Sequence, residues 1–404
     1  MLFFRLISIP ILIGVSYGFY KNPLAKLSSR KLLILLLLMR CGISIIAHEI
    51  LHLAYPSDSE SYFLHGIETL SGKIPTIDFQ TPYSIGFEYL IALAVGIYQS
   101  TISIIVLFHL AELLGVWLVL QAIQHISNAQ TNKLLLLYYF NPIVFNWLGL
   151  GGQDESLLIL LFGIFFYLIN ANKNLVFGHI TGVFSLLITK LFAFFIIAAY
   201  FIKQKLSQKI VFVVSLFVVV GLLQFVLKIP VFSTEFSRNG AKSDDLAELY
   251  TSGNIWFLLQ TFGLDLMKTK LPILLALAGL GLFSLKNLLP FTTEERGFNQ
   301  ENYTFLAIGY FLIYNLLYKM TFSQYHVVEV LGVFLLLTAY QRSLNIWFLW
   351  FWSGLVAVDG TLFYFLKFQH PEWLTNPIYV VYQILIVLSN FYLFFELQKA
   401  KLKI

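Results

Sequence analysis

Five carboxylates lie in one polar stretch of the chain, residues 54–88, and a carboxylate can accept a proton from an attacking hydroxyl group. They are Asp58, Glu60, Glu68, Asp78 and Glu88. Proline and glycine residues interrupt the same stretch, which predicts an ordered loop with one or two short helices. Loops held by a rigid scaffold often carry chemistry, so this loop is the first candidate for a general base. A solvated connector between helices would have a similar composition.

Four later polar segments could supply the partners of such a base: residues 151–155, 189–190, 232–254 and 319–326. They contain the cations Lys190, Arg238 and Lys319. Cations stabilise the negative charge that develops on a phosphate leaving group, so carboxylates facing these cations would suit transfer of a group from a phosphate. Taken singly, Asp154 or Lys190 is also explained as a helix-end residue or a snorkelling lysine.

A competing pattern, HExxH, begins at His48 and ends at His52. On an α-helix it places two imidazoles one turn apart, with Glu49 able to act as the base of a zinc protease. Asp58 is a conceivable third ligand, whereas Tyr55 stands where metzincin-type enzymes have glycine. Zinc chemistry is therefore an alternative. The favoured interpretation is that these residues line the outer mouth of the second span.

The composition defines the environment in which these residues must be positioned. The chain has 404 residues, of which 58% are hydrophobic and 12% charged, against roughly 25% charged in soluble domains. This balance predicts a polytopic membrane protein. The net charge of +5 fits basic cytoplasmic connectors rather than a nucleic-acid-binding patch, since lysines and arginines lie scattered at helix ends. The single Cys41 excludes an internal disulfide and a thiolate-rich metal site.

The positions of the lysines and arginines predict which connectors lie on the cytoplasmic side of the membrane. The basic connector 21–31 is predicted to be cytoplasmic, so the span 32–53 delivers the acidic loop to the outer side, together with the four later polar segments. Residues 84–99 are predicted to form a juxtamembrane helix along the outer interface. The expected fold is an all-α bundle of about 13 spans, a single module over residues 1–404 with its first outer loop and juxtamembrane helix at 54–99. The predicted spans are 1–20, 32–53, 101–126, 133–150, 156–170, 175–188, 191–202, 210–227, 271–288, 303–317, 327–340, 344–366 and 378–395.

Two carboxylates fall inside apolar runs, Glu112 and Glu329. Ionisable groups at membrane depth are costly and are usually paired. We therefore expect both to be buried partners of other polar side chains rather than catalysts.

The polar motifs also follow a characteristic order along the chain. They are Asp58-Ser-Glu60-Ser-Tyr62, Gly72-Lys-Ile-Pro75, Asp78-Phe79, Pro82-Tyr83, Asn141-Pro142, Gly152-Gln153-Asp154, Gly178 to Lys190, Gly253-Asn254-Ile-Trp256, and Lys319 with Ser323-Gln324-Tyr325. In this order and sidedness, from about residue 40 to 340, the chain resembles the glycosyltransferase-C (GT-C) superfamily. The greatest similarity is to its polyprenol-phosphate-mannose-dependent mannosyltransferases, including those of GPI-anchor assembly.

The resemblance implies roles for particular residues. Asp58 would be the catalytic base, with Glu60 as the second acid of an Asp-x-Asp-type pair. The donor phosphate would be bound by Lys190, Lys319 and Arg238, and substrate by Tyr62, Asp78, Tyr83, Gln153, Asp154, Gln324 and Tyr325. The chain departs from the family pattern at Glu60, which replaces an aspartate, and before Gln324, where a proline is expected. These departures affect the predicted identities of the sugar and the acceptor more than they affect the predicted fold.

The expected function is transfer of a hexose, mannose by preference, from a polyprenyl-phosphate donor to a lipid or glycan acceptor, with inversion at the anomeric carbon. The active site would face outward from a bacterial inner membrane, or into the lumen from the ER membrane. Membrane lipids are expected partners and nucleic acid is not. No cofactor or bound metal is expected to be required, with a divalent cation left open. The alternatives are the zinc protease and a lipid or polysaccharide transporter, although we find no paired halves with broken helices.

Overall fold

The structure, a computed structural model, describes residues 2–52, 57–79, 81, 83–123, 126–171, 175–189, 192–202, 204–226, 253–264, 266, 269–288, 299–318 and 322–402. Within these ranges the regular elements are all helices. They are α1 (Leu2–Lys21), α2 (Ser29–Ile45), α3 (Ser57–Leu70), α4 (Ile85–Ile97), α5 (Thr101–Ala122), α6 (Asn128–Tyr139), α7 (Pro142–Val144), α8 (Ser156–Ala171), α9 (Leu175–Ile188), α10 (Ala193–Phe201), α11 (Leu206–Gly221), α12 (Ile255–Thr261), α13 (Leu271–Leu288), α14 (Gln300–Leu317), α15 (Val327–Thr338), α16 (Ile346–Gln369) and α17 (Pro377–Leu402).

Several helices continue into, or are preceded by, turns of different pitch. α2, α7 and α11 are extended by π-helical turns at Ile46–Ile50, Phe145–Gly149 and Leu222–Val226. A 3₁₀ turn at Ser323–His326 leads into α15, and another at Pro371–Thr375 leads into α17. Such local changes of pitch often mark functional positions, and three of them, at Ile46–Ile50, Phe145–Gly149 and Ser323–His326, border the site described below.

Six helices among the described residues are long and apolar enough to cross a membrane. They contain Phe3–Lys21, Ser29–Ile50, Thr101–Ala122, Leu206–Phe225, Ile346–Phe363 and Pro377–Lys401. The predicted all-helical fold is therefore confirmed for the described residues, and the six long apolar helices indicate a membrane protein. Each of the other predicted spans contains a helix, but those helices are shorter. α10, for example, has 9 residues, or about 13 Å at the helical rise, against roughly 30 Å of hydrocarbon. The count of about 13 spans stays a prediction.

Glycines allow α5 and α8 to pack backbone to backbone. A Cβ atom added at Gly115 would overlap the carbonyl group of Ile159, and one at Gly163 would overlap the carbonyl of Gly115. Helices in membranes gain much of their association energy from such close contact between small residues. This contact fixes the helix that follows the 151–155 segment against the centre of the bundle.

Glu112 and Glu329 are buried partners of other polar groups, as expected. The Arg40 guanidinium forms an ion pair with Glu112, and both side chains are 1% exposed. Arg40 also donates to the carbonyl of Tyr139 at 3.3 Å and lies 4.4 Å from the centre of the Tyr139 ring. Glu329 contacts the His326 imidazole and accepts a 2.9 Å hydrogen bond from Asn315.

Candidate functional site

The acidic loop contains one short helix, α3, as the sequence predicts. Asp58, Tyr62, His65 and Thr69 recur at helical spacing on its inner face, while Glu60 lies on its exposed face. α3 packs closely on α4, because a Cβ atom at Gly66 would lie 2.7 Å from Val95 Cγ2. α4 is the helix predicted at 84–99, and its orientation to a membrane interface stays a prediction.

The turn that precedes Gln153 and Asp154 is held to α2 and α3 by a row of hydrogen bonds. The backbone carbonyls of residues 149, 150 and 151 each contact one side chain from the segment between residues 44 and 59. The pairs are Ser44 Oγ with Gly149 O at 2.9 Å, His48 Nε2 with Leu150 O at 3.4 Å, and Ser59 Oγ with Gly151 O at 3.2 Å.

The local sequence allows this turn because it contains two glycines. Gly152 has a φ of +52°, which side chains with a Cβ rarely adopt, and a Cβ at Gly151 would overlap the carbonyl of Trp147. The glycine pair therefore lets the backbone leave the π-helical turn and present Gln153 and Asp154 to α3.

Tyr62 connects α3 to this turn directly. Its hydroxyl donates a 2.9 Å hydrogen bond to Asp154 Oδ1, and its side chain is fully buried. Burial, and after it the negative charge of Asp154, raises the pKa of Tyr62 well above its ordinary value. Asp58 and Glu155 act on the same hydroxyl in the same direction. The phenol therefore stays protonated and holds its proton toward the carboxylates.

The structure thus places four of the predicted site residues together: Asp58, Tyr62, Tyr83 and Asp154. The Tyr62 and Tyr83 rings are in edge contact at 5.0 Å between centroids. Asp58 is half-buried, and Asp154 is buried. A half-buried carboxylate beside buried carboxylates and a neutral phenol could accept a proton from a bound hydroxyl group.

Two predicted residues lie apart from this cluster. Glu60 is exposed on the opposite face of α3 from Asp58. Asp78 is exposed and closes a local turn, since Asp78 Oδ2 accepts a 2.6 Å hydrogen bond from the backbone N–H of Ile74. Asp58 and Glu60 therefore do not form a pair of carboxylates directed at one point.

The predicted residues Gln324 and Tyr325 lie in the 3₁₀ turn Ser323–His326, which adjoins the segment leading to Asp154. A Cβ atom at Gly360 of α16 would lie 2.5 Å from both Ser323 Oγ and Trp147 Cζ2, so these two side chains meet at one glycine. Both Gln153 and Gln324 are buried, and the Oε1 atom of each lacks a hydrogen-bond partner. Buried amide oxygens without a donor are uncommon in native structures, which makes both side chains candidates for contact with a polar ligand.

The three predicted phosphate-binding cations, Lys190, Arg238 and Lys319, lie outside the described residues. Described residues within two positions of Lys190 and Lys319 contact other parts of the bundle. Phe192 contacts Tyr325, with 4.2 Å between ring centroids, and Trp256 Nε1 donates a 2.5 Å hydrogen bond to the carbonyl of Leu317. A Cβ atom at Gly86, at the start of α4, would lie 2.5 Å from the carbonyl of Leu187.

One polar group that sequence reasoning did not assign to the site lies beneath α3. Glu88 is fully buried, and its Oε1 accepts a hydrogen bond from Thr81 and lies 3.1 Å from His65 Nδ1. The helical spacing of His65 seven residues after Asp58 predicts a shared face, but only the tertiary structure brings Glu88 to it. The contact joins α3 to the start of α4.

The HExxH residues are not arranged as a zinc site. The π-helical turn Ile46–Ile50 replaces the regular helix that the motif needs, His48 is buried against Leu150 O, and His52 is exposed with a φ of +49°. Glu49 lies beside an apolar groove of about 450 Å³ between α2, α4 and α5. In the part of the chain that the structure describes, no three metal-ligating side chains converge.

Long apolar helices and a buried ion pair between two of them indicate an all-helical membrane protein. In comparisons with known proteins, no family model, no curated protein and no solved structure matches this chain. A function must therefore be argued from the site itself.

Proposed function

We propose that this protein is an integral-membrane glycosyltransferase. It moves a hexose, mannose by preference, from a polyprenyl-phosphate donor to a hydroxyl group of a lipid or glycan acceptor. One observation supports this most strongly: the Tyr62–Asp154 hydrogen bond joins the acidic helix α3 to the glycine turn, so that carboxylates from two distant segments surround one buried phenol. The resemblance of the ordered motifs to the GT-C superfamily supports the reaction class.

Asp58 is the proposed base. It would accept the acceptor's hydroxyl proton as the new bond forms between that oxygen and the anomeric carbon. The bond from the anomeric carbon to the phosphate oxygen would break on the opposite side, with inversion, and release polyprenyl phosphate. Tyr62 and Asp154 would orient the acceptor side, and Gln153 and Gln324 would bind sugar hydroxyls through their free amide oxygens. In this proposal Lys190, Arg238 and Lys319 bind the donor phosphate.

The proposed active site faces the non-cytoplasmic side, because the basic connector 21–31 favours a cytoplasmic position. A bacterial inner membrane fits this arrangement, and the ER membrane is the alternative. Lipid-linked donors suit that side, where nucleotide sugars are absent.

The test uses the full-length protein in lipid nanodiscs with radiolabelled polyprenyl-phosphate mannose and polyprenyl-phosphate glucose. Extracted membrane lipids and glycans serve as the pool of acceptors. We expect label from one donor to appear in a new product with the wild-type protein. If no polyprenyl-phosphate hexose bound or reacted, the proposal would fail. If the protein instead carried the intact donor to the other leaflet of a vesicle, the transporter alternative would replace it.

A further inference from the structure

Arg5 is a cation without an anionic partner in the described structure. It lies in the first turn of α1, half-buried, with its Cζ atom 5.1 Å from the centre of the Trp147 ring. Its Nε atom is buried and unpartnered, and the guanidinium forms no hydrogen bond or ion pair with any described residue. Arg40 and Arg342, by contrast, each pair with a glutamate.

The start of α1 is attached to the segment that leads into the proposed site. Ser8 Oγ donates a 3.0 Å hydrogen bond to Asn146 Oδ1, and Asn146 Nδ2 donates to the Arg5 carbonyl at 3.5 Å. Asn146 and Trp147 belong to the π-helical turn Phe145–Gly149, directly before the glycine turn. Arg5 therefore lies at the same end of the bundle as Asp154.

Further polar atoms without partners lie on the segments around Trp147. Trp147 Nε1 lacks an acceptor, and the Oε1 atoms of Gln153 and Gln324 lack donors. The three side chains are 5%, 2% and 5% exposed. Buried polar atoms are rarely left unsatisfied in native structures, so the Trp147 indole N–H, whose ring lies against Arg5, indicates a binding site for a polar ligand.

The unsatisfied donors favour an anion. A guanidinium matches two phosphate oxygens in its fork geometry, and the indole N–H adds a neutral donor. The start of α1 contributes the positive end of a helix dipole, and no acidic residue in its first turn offsets it. An unpaired cation at the edge of a membrane is costly until an anion neutralises it.

We propose that Arg5, with the Trp147 indole N–H, binds the phosphate of the lipid-linked donor. This inference rests on the proposed function and identifies α1 as a contributor of the donor site. The ligand class is a phosphate ester of a long-chain polyprenol, bound as the sugar phosphodiester before transfer and as the phosphate monoester afterwards.

The experiment measures binding of undecaprenyl phosphate to the full-length protein in nanodiscs, with undecaprenol and inorganic phosphate as separate probes. Arg5→Gln should weaken undecaprenyl phosphate binding by about tenfold or more, since it removes a charge-assisted contact. Arg5→Lys should retain part of the affinity, and Trp147→Phe should weaken it several-fold while keeping an aromatic ring. Arg30→Gln, an exposed arginine at the opposite end of the bundle, is the matched control and should bind like the wild type.

Equal affinity of the Arg5→Gln and wild-type proteins would overturn the inference. Binding of inorganic phosphate alone, with the same dependence on Arg5, would overturn the lipid assignment. If Arg5→Gln aggregates, the Arg5→Lys and Trp147→Phe proteins decide the question. Loss of binding in Arg5→Gln with no sugar transfer by the wild type would support this site and contradict the glycosyltransferase proposal. Sugar transfer by the wild type, together with an unchanged donor KM in Arg5→Gln, would support the glycosyltransferase proposal and contradict the Arg5 site.

Discussion

The Tyr62 hydroxyl donates a 2.9 Å hydrogen bond to the Asp154 carboxylate, which lies 92 residues further along the chain. Both side chains are buried, so water cannot substitute for either partner. The contact holds α3 against the glycine turn and sets the position of Asp58, one helical turn before Tyr62.

Replacement of Tyr62 tests this contact. Tyr62→Phe keeps the ring packed against Tyr83 but removes the hydrogen bond that Tyr62 donates to the Asp154 carboxylate. We expect a loss of about 1–3 kcal/mol in the free energy of unfolding, measured by thermal or denaturant unfolding in detergent, and a reduced kcat for sugar transfer. Tyr89→Phe, on the exposed face of α4, is the control and should change neither quantity. An unaltered Tyr62→Phe protein would show that the hydrogen bond has no role in positioning the site.

Asp58→Asn tests the proposed base. The amide has nearly the shape of the carboxylate but cannot accept the acceptor's proton, so we expect transfer to fall by about 10²–10⁴-fold with donor binding unchanged. Glu60→Gln should cost much less, because Glu60 is exposed on the other face of α3. Wild-type turnover in Asp58→Asn would refute the assignment, and Asp154 would then be the next residue to test.

Metal analysis of the purified protein tests the zinc alternative. His48 and His52 lie in different surroundings, one buried and one exposed, so we expect no stoichiometric zinc. We expect His48→Gln to leave the zinc content unchanged while weakening the contact to Leu150 O. One tightly held zinc per wild-type chain, lost in His48→Gln, would favour the zinc protease over the glycosyltransferase.

The Arg40–Glu112 pair predicts a strongly coupled double-mutant cycle. Glu112→Leu removes the anion and leaves a guanidinium charge buried, and Arg40→Met leaves a carboxylate buried, so each single variant should cost about 3–5 kcal/mol of stability. The double variant Arg40→Met with Glu112→Leu should recover most of that loss, because no uncompensated charge remains. Unfolding temperatures of the two singles and the double measure the coupling. Additive effects would mean that the pair does not contribute as a unit.

Gly115→Ala tests the backbone contact between α5 and α8. The added methyl group would overlap the Ile159 carbonyl, so the helices must separate, and we expect a loss of at least about 1–3 kcal/mol. Gly42→Ala in α2 is the matched control, because a Cβ there would meet no atom within 4 Å. It should be neutral or stabilising by up to about 1 kcal/mol. Equal unfolding temperatures for the two variants would contradict the packing.

Some features of this protein follow from the sequence alone. The apolar content and the long apolar runs predict a membrane environment, in which the backbone must satisfy its own hydrogen bonds. Apolar runs of this length do so as helices, so the sequence predicts an all-helical fold. The same argument requires Glu112 and Glu329 to find polar partners. Proline and glycine in the acidic stretch limit it to a short helix and turns. All of these are local or compositional effects, which need no knowledge of neighbouring helices.

The tertiary structure decided the rest. Arg40 is the partner of Glu112 across 72 positions, and neither residue carries a signal that selects the other. Which of the short helices cross a membrane stays a prediction, because hydropathy measures only how apolar a helix is. The HExxH spacing assumes an α-helix, whereas the structure has a π-turn at Ile46–Ile50. Arg5 interrupts an apolar run without a motif, and its place beside Trp147 arises only because α1 packs on the turn before Gly151. Such contacts depend on the shapes of surfaces far apart in sequence, which local periodicity does not encode.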